Sequence, residues 1–377
     1  MRTIISMMNK RLVSLFTVFS ALLALAARAS TTLPIEGTIV KPTDPAILYV
    51  GRISFANPER PRFTYPGTQI IAHFNGTSVR LWAKPKSGYF MAQVDDAAPF
   101  KVALTGEQDS VVTIAAALPQ GDHLLRLMYI IEGYDLKPVF RGLVLDAGAR
   151  LLPPPPLPDR RIEFIGNSIT CGYGNESTCA NDPFEYATEN HYLTYAQLTA
   201  RTLGAVVHVV ARSGIGVYRS YGGPREGTPE NVMTTEYEYT NLYDHSEPWD
   251  FSRFTPHVVC INLGTNDLST NNYDVHRLRD AYRQLLRQVR GHYPEARIVF
   301  LCGSMLSGKE LDIARTTLNA VVDDANRRGD SRVHRFDFTP QNGDLGFGAS
   351  WHPSRAQHRR MADELAPFLR HLMAWNE

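Results

Sequence analysis

The stretch RIEFIGNSIT, residues 161–170, passes from a buried strand to a polar turn. After Arg161 its first half is apolar apart from Glu163 and stops at Gly166, the pattern of a strand buried on both faces of a parallel sheet. Its second half turns polar at once, placing Asn167 and Ser168 where a strand gives way to a helix. The same texture returns downstream in AVVHVVA (205–211), HVVCINLG (257–264), ARIVFLCG (296–303) and RVHRFDF (332–338). Helical stretches lie between the later runs: YDVHRLRDAYRQLLRQVRGHY (273–293) and KELDIARTTLNAVVDDANRRG (309–329). RAQHRRMADELAPFLRHLMAW (355–375) predicts a final helix. Strands alternating with helices predict a doubly wound, parallel α/β sheet over residues 161–377, with its site beyond the carboxyl ends of the strands.

Upstream the pattern differs. ILYVGRISF (47–55), GTQIIAHF (67–74), TSVRLWAK (77–84), GYFMAQVDD (88–96), DSVVTIAAAL (109–118), HLLRLMYIIEG (123–133) and PVFRGLVLDAG (138–148) are short, rich in β-branched and aromatic residues, and separated by turn residues. They predict an all-β sandwich or jelly roll over residues 30–150. Pro153–Pro156, followed by Pro158, can join neither ladder nor helix, so residues 151–160 read as a stiff linker.

The chain has 377 residues, 39 Lys+Arg against 38 Asp+Glu, and 44% hydrophobic residues. That length suggests about two domains, large enough to bury a core without metal or disulfide. Near-neutral charge argues against a nucleic-acid partner, and the ordinary apolar content argues against disorder. Four cysteines are too few for a disulfide scaffold. Arg2, Lys10 and Arg11 precede the apolar run LVSLFTVFSALLALA, which ends beside Ala27-Arg28-Ala29. These are the three parts of a secretory signal peptide, and the run is shorter than the ~20 residues of a membrane span. The expectation is export, to periplasm or medium, with cleavage after Ala29 and no membrane segment in the mature protein. Cleavage would remove Arg2, Lys10, Arg11 and Arg28 and no acid, turning a net charge of +1 into −3.

Four places carry candidate chemistry. Ser168 follows the first parallel strand, where an exposed hydroxyl could attack a carbonyl; an N-capping serine is the ordinary alternative. Gly214, in Ser213-Gly214-Ile215-Gly216, permits close backbone approach and can offer an N–H. Asn266, in Gly264-Thr265-Asn266-Asp267, can donate to an oxyanion or serve as a turn residue. His352, in Trp351-His352-Pro353-Ser354, supplies an imidazole suited to take the serine proton near neutral pH.

Together GNSIT, SGIG, GTND and WHPS resemble the four sequence blocks of the SGNH (GDSL-like) hydrolases, which share a flavodoxin-like α/β domain. The order of sandwich, proline linker, IEFIGNSITCGYGNE, SGIGVYR, INLGTND and WHPS is similar to carbohydrate esterase family 2, the acetyl esterases of acetylated hemicellulose. The resemblance implies Ser168 as nucleophile and His352 as general base. It implies an oxyanion hole from the Ser168 N–H, Gly214 and Asn266. The substrate would be an acetylated polysaccharide or oligosaccharide of xylan or glucomannan type. An esterase on peptidoglycan acetyl groups or lipid, or a glycan binder without catalysis, are the alternatives.

Two positions depart from the family pattern. Asn167 stands where the first block usually has Asp. The triad acid expected two or three residues before the histidine is missing, since Ser350 and Ala349 stand there and the nearest upstream acid is Asp344. A Ser–His dyad oriented by a backbone carbonyl near Ser350 or Trp351 is therefore expected, because triads vary while keeping their geometry.

The stretch from about 220 to 256 is long for a structureless connection and carries Tyr221, Tyr237, Tyr239, Tyr243 and Trp249, either as a substrate wall or as packing. Trp351 and Trp249 are the candidate substrate contacts. Cys171 and Cys179 lie eight apart where an oxidising compartment would permit a disulfide, whereas Cys260 and Cys302 read as core thiols. His276 and His358 read as surface residues. No metal motif, phosphate loop or dinucleotide fingerprint appears, so neither cofactor nor protein partner is expected.

Overall fold

A computed structural model describes residues 35–108 and 111–375; the signal-peptide reading of residues 1–29 lies outside them. The N-terminal part is all β: β1 (Thr38–Val40), β2 (Ile47–Val50), β3 (Gln69–Gly76), β4 (Val79–Ala83), β5 (Gly88–Val94), β6 (Phe100–Leu104), β7 (Val111–Ala115), β8 (Gly121–Tyr129), β9 (Phe140–Leu145) and β10 (Arg150–Leu151). One sheet runs β1-β9-β4-β7 and the other β10-β3-β8-β5-β6, with β2 added beside β3. All their pairings are antiparallel. Alternate residues point inward, so Leu81, Leu143 and Leu145 of one sheet meet Phe74, Phe90, Leu125 and Leu127 of the other in one core.

The remaining elements are β11 (Arg160–Gly166), α1 (Ser168–Cys171), α2 (Tyr195–Leu203), β12 (Ala205–Ala211), α3 (Met233–Glu236), β13 (Tyr239–Asn241), β14 (Asp244–Pro248), β15 (Val258–Asn262), α4 (Val275–His292), β16 (Arg297–Cys302), α5 (Gly308–Arg327), β17 (Val333–Asp337) and α6 (Arg355–Met373). The parallel sheet has the order β12-β11-β15-β16-β17. That is the doubly wound 2-1-3-4-5 order, whose switch point lies between β11 and β15. Ile165, Val259 and Ile261 face a core closed by Leu278, Leu285 and Val289 of α4 and Leu318 and Val321 of α5. Ile162, Phe164 and Cys260 face the other way, against Leu198 of α2 and Met361, Leu365 and Leu369 of α6. None of the described helices is long and apolar enough to cross a membrane.

The two parts meet over a buried surface. From Gly37 onward the chain forms one contact-connected unit. Val50 and Ile71 of the β part share a small core with Val206 and Phe254. The Gly51 N–H donates to His208 Nε2 at 3.0 Å. Arg52 is fully buried, pairs with Glu163 of β11 at 3.4 Å, and donates to the Tyr237 carbonyl and, at 2.9 Å, to the Tyr239 carbonyl. Its guanidinium lies over the rings of Tyr237, Trp249 and Phe251. Burial pushes the Glu163 carboxyl up while Arg52 and the Tyr237 hydroxyl pull it down. Losing one partner of such a pair strands the other charge without solvent. Arg52→Ala should therefore lower the unfolding free energy in urea by about 3–5 kcal/mol, a larger loss than truncating the exposed Lys41–Glu59 pair.

Candidate active site

Ser168, Gly214 and Asn266 each follow a different one of three adjacent strands, β11, β12 and β15, at the switch point. Ser168 is the first residue of α1, not its cap. Asn167 takes that place, its side-chain oxygen accepting the Ile169 N–H at 3.1 Å. The capping-serine alternative is thus set aside, and the Ser168 hydroxyl is free to meet His352 Nε2 at 2.8 Å.

Among the described residues no carboxylate stands behind His352. Its Nδ1 lies 3.1 Å from the Ala349 carbonyl and 3.2 Å from the Ser350 carbonyl. Both partners only accept, so the proton sits on Nδ1 and the Nε2 lone pair faces the serine hydroxyl. The backbone reaches this arrangement through left-handed conformations at Ser350 (φ +49°) and Trp351 (φ +56°). Each costs a non-glycine residue about 1–2 kcal/mol. The loop after the nucleophile offsets that cost. Ser350 N–H donates to the Asp182 carbonyl at 3.1 Å, Trp351 N–H to the Ala180 carbonyl at 3.3 Å and Ala349 N–H to the Gly174 carbonyl at 3.0 Å. The approach is so close that a Cβ on Gly174 would lie 2.3 Å from the Ala349 Cβ. Gln341 Nε2 donates to the Trp351 carbonyl at 2.7 Å from the other side.

Tyr173 stacks on the imidazole with centroids 4.0 Å apart and an interplanar angle of 23°. Burial pushes the His352 pKa down to about 4, against the upward pull of the two carbonyls. Asp344 is engaged elsewhere, in a two-pronged pair with Arg360 at 2.8 and 3.1 Å.

Three donors are available for an oxyanion. The N–H groups of Ser168 and Gly214 have no hydrogen-bond partner among the described residues. Gly214 has φ +78°, a conformation that favours glycine, and a Cβ there would meet only ordinary contacts, with the Arg212 guanidinium at 3.5 Å and the Tyr221 Cβ at 3.9 Å. Asn266 Nδ2 donates one hydrogen to the Ile215 carbonyl at 2.8 Å, which orients the amide and leaves its second hydrogen unused. The next residue, Asp267, is buried and accepts the N–H groups of Val217, Tyr218 and Arg219, holding the loop that follows Gly214.

The other candidates divide. Trp351, beside His352, is 54% exposed and presents an aromatic face; Tyr221, whose N–H donates to the Gly214 carbonyl, is 68% exposed. Trp249 is corrected: it is only 4% exposed, packed against His208, Arg52 and Arg253 between the two parts, with no face left for a ligand. The 220–256 stretch is also more ordered than its sequence implies, containing α3, β13 and β14, and Tyr237 is buried as packing. His358 is corrected too: it is 1% exposed, accepts the Tyr195 N–H, and burial pushes its pKa down to about 3. Cys171 and Cys179 are free thiols, the first buried and the second exposed. Tyr173 was missed by the sequence reading, although its place between Gly172 and Gly174 marked a close approach of backbone at that turn.

Comparisons with known proteins identify the family of both parts. Residues 49–155 match the family model for the carbohydrate esterase 2 N-terminal region, and residues 164–360 match that of the GDSL-like lipase/acylhydrolase family. A family two carbohydrate esterase from Clostridium thermocellum, solved in complex with cellohexaose, is 39% identical with a TM-score of 0.81, over 88% of this chain and 100% of that one. The Cellulase/esterase CelE of Acetivibrio thermocellus is 38% identical over 88% of this chain, which spans only 40% of that protein's length. An acetylxylan esterase / glucomannan deacetylase of Cellvibrio japonicus is 26% identical over 88% of this chain and 90% of its own. The chain belongs to the carbohydrate esterase 2 family, and its α/β part to the GDSL-like lipase/acylhydrolase family.

Proposed function

We propose that this protein is an exported serine esterase that removes acetyl groups from plant cell-wall glycans of xylan or glucomannan type. One observation carries the reading: the 2.8 Å contact between Ser168 Oγ and an imidazole whose other nitrogen is tied to two carbonyls. In the first half-reaction Nε2 takes the hydroxyl proton as Oγ attacks the ester carbonyl. The charge that develops on the carbonyl oxygen meets the Ser168 and Gly214 N–H groups and the spare Asn266 hydrogen. His352 then returns its proton to the departing sugar oxygen, leaving an acetyl group on Ser168. Water activated by the same nitrogen releases acetate and restores the serine.

The names of the family relatives support the acetyl group and the polysaccharide. The exposed rings of Trp351, next to His352, and Tyr221, hydrogen-bonded to Gly214, suit the faces of sugar rings. The leader-like residues 1–29 support export.

Three measurements test this reading. Ser168→Ala and His352→Ala should each abolish hydrolysis of a chromogenic acetate ester, whereas Asp344→Ala should leave it within about twofold; equal damage from Asp344→Ala would overturn the dyad. The pH profile of kcat/KM follows from the lowered imidazole pKa. The working base is the neutral form, present above about 4, so the rate should be flat from pH 8 to 5 and fall by half near 4. An inflection near 6.5 would contradict it. Acetate esters should turn over faster than octanoate esters, and acetate should be released from acetylated xylan or glucomannan; preference for the long acyl chain would point to a lipase.

A further inference from the structure

The contacts around Glu132 reach from the β part into the oxyanion loop. Glu132 follows β8 and is buried. Its carboxylate accepts the Ser213 N–H at 2.6 Å and the Ser213 hydroxyl as well. The Glu132 N–H donates to Glu189 Oε2 at 3.1 Å. Glu189 is fully buried, and its Oε1 has no hydrogen-bond partner among the described residues. Carboxylate oxygens of the two residues and the Cys171 sulfur all lie within 4.8 Å of one another.

Two buried carboxylates so close cannot both stay ionised. A single proton on Glu189, donated to Glu132, removes the repulsion and gives the orphaned Oε1 a role. Burial pushes both carboxyls up, and Glu189 the further, because Glu132 has the Ser213 donors.

Ser213 immediately precedes Gly214, and the peptide between them carries the Gly214 N–H. Glu132 holds the peptide before it through the Ser213 N–H, and the Ser213 hydroxyl as well, while the Tyr221 N–H holds the peptide after it through the Gly214 carbonyl at 2.8 Å. We propose that Glu132, through one proton shared with Glu189, is a positioning residue that aims the Gly214 N–H at the ester's developing oxyanion. The inference rests on the esterase reading and gives the β part a share in the chemistry.

The test uses the full chain and a chromogenic acetate ester. Wild type without Ser168-dependent turnover would overturn the esterase reading and this inference with it; every other outcome bears on the inference alone. Glu132→Ala should lower kcat about 10²-fold, as loss of an oxyanion donor does, with KM within threefold. Affinity for methylboronic acid, which forms a tetrahedral adduct on the serine, should fall by a similar factor. If Glu132→Ala does not fold, Glu132→Gln replaces it, with a smaller but measurable fall in kcat because one acceptor for the Ser213 N–H remains. Glu189→Leu should lower kcat, and Glu189→Gln should recover most of the loss, since its amide donates where the proton did. The inference is overturned if the Glu132 variant keeps wild-type kcat or keeps its boronate affinity, or if Glu189→Gln is as slow as Glu189→Leu. Loss of activity in EDTA that zinc restores would likewise replace the shared proton with a metal ion.

Discussion

The hydrogen bonds from His352 Nδ1 to the Ala349 and Ser350 carbonyls govern the arrangement of the site. They fix which nitrogen faces Ser168, and they exist only because two consecutive residues adopt left-handed backbone. That conformation is in turn held by the loop after the nucleophile, through the carbonyls of Gly174, Ala180 and Asp182. The nucleophile's own loop therefore builds the support for its base. The two ends of the α/β part are joined at the one place where chemistry needs them to meet.

A carbonyl pair is a weaker support than a carboxylate. It orients the ring as firmly, but dipoles stabilise the imidazolium less than a full negative charge would. With Tyr173 stacked on it, the ring is consequently a poor proton holder, which fits its lowered pKa. A base of that kind gives up its proton readily, and in ester cleavage the same proton must pass to a departing alkoxide. Low basicity in the first step is thus compensated by acidity in the second.

Much of this was legible in the sequence. The buried strand runs, the turn residues at their ends and the four short blocks located the sheet and the site residues now found at adjacent strand ends. The missing acid before His352 was legible as well, since it is a matter of which residue occupies a position. What replaces it was not, because a carbonyl belongs to every residue and only backbone direction makes it a partner. Trp249 and His358 were misread for a related reason. An aromatic in a long loop and a histidine on a helix look exposed until distant segments cover them. Glu132 carried no signal at all: its partners Ser213 and Glu189 lie far along the chain, and only folding brings them together.

The proline run after Leu152 has the composition of a spacer between separable modules. The surface beneath it suggests a different history. Arg52, Gly51 and Glu132 satisfy polar groups of the α/β part that would otherwise face water or stand unpaired, namely Glu163, His208 and Ser213. Such a pair of parts cannot readily be exchanged by recombination, since a new neighbour would have to supply a cation, an N–H and a carboxyl at the same three places. The unit that evolution can move from one polypeptide to another is thus the whole of the chain from the first strand of the sandwich to the last helix.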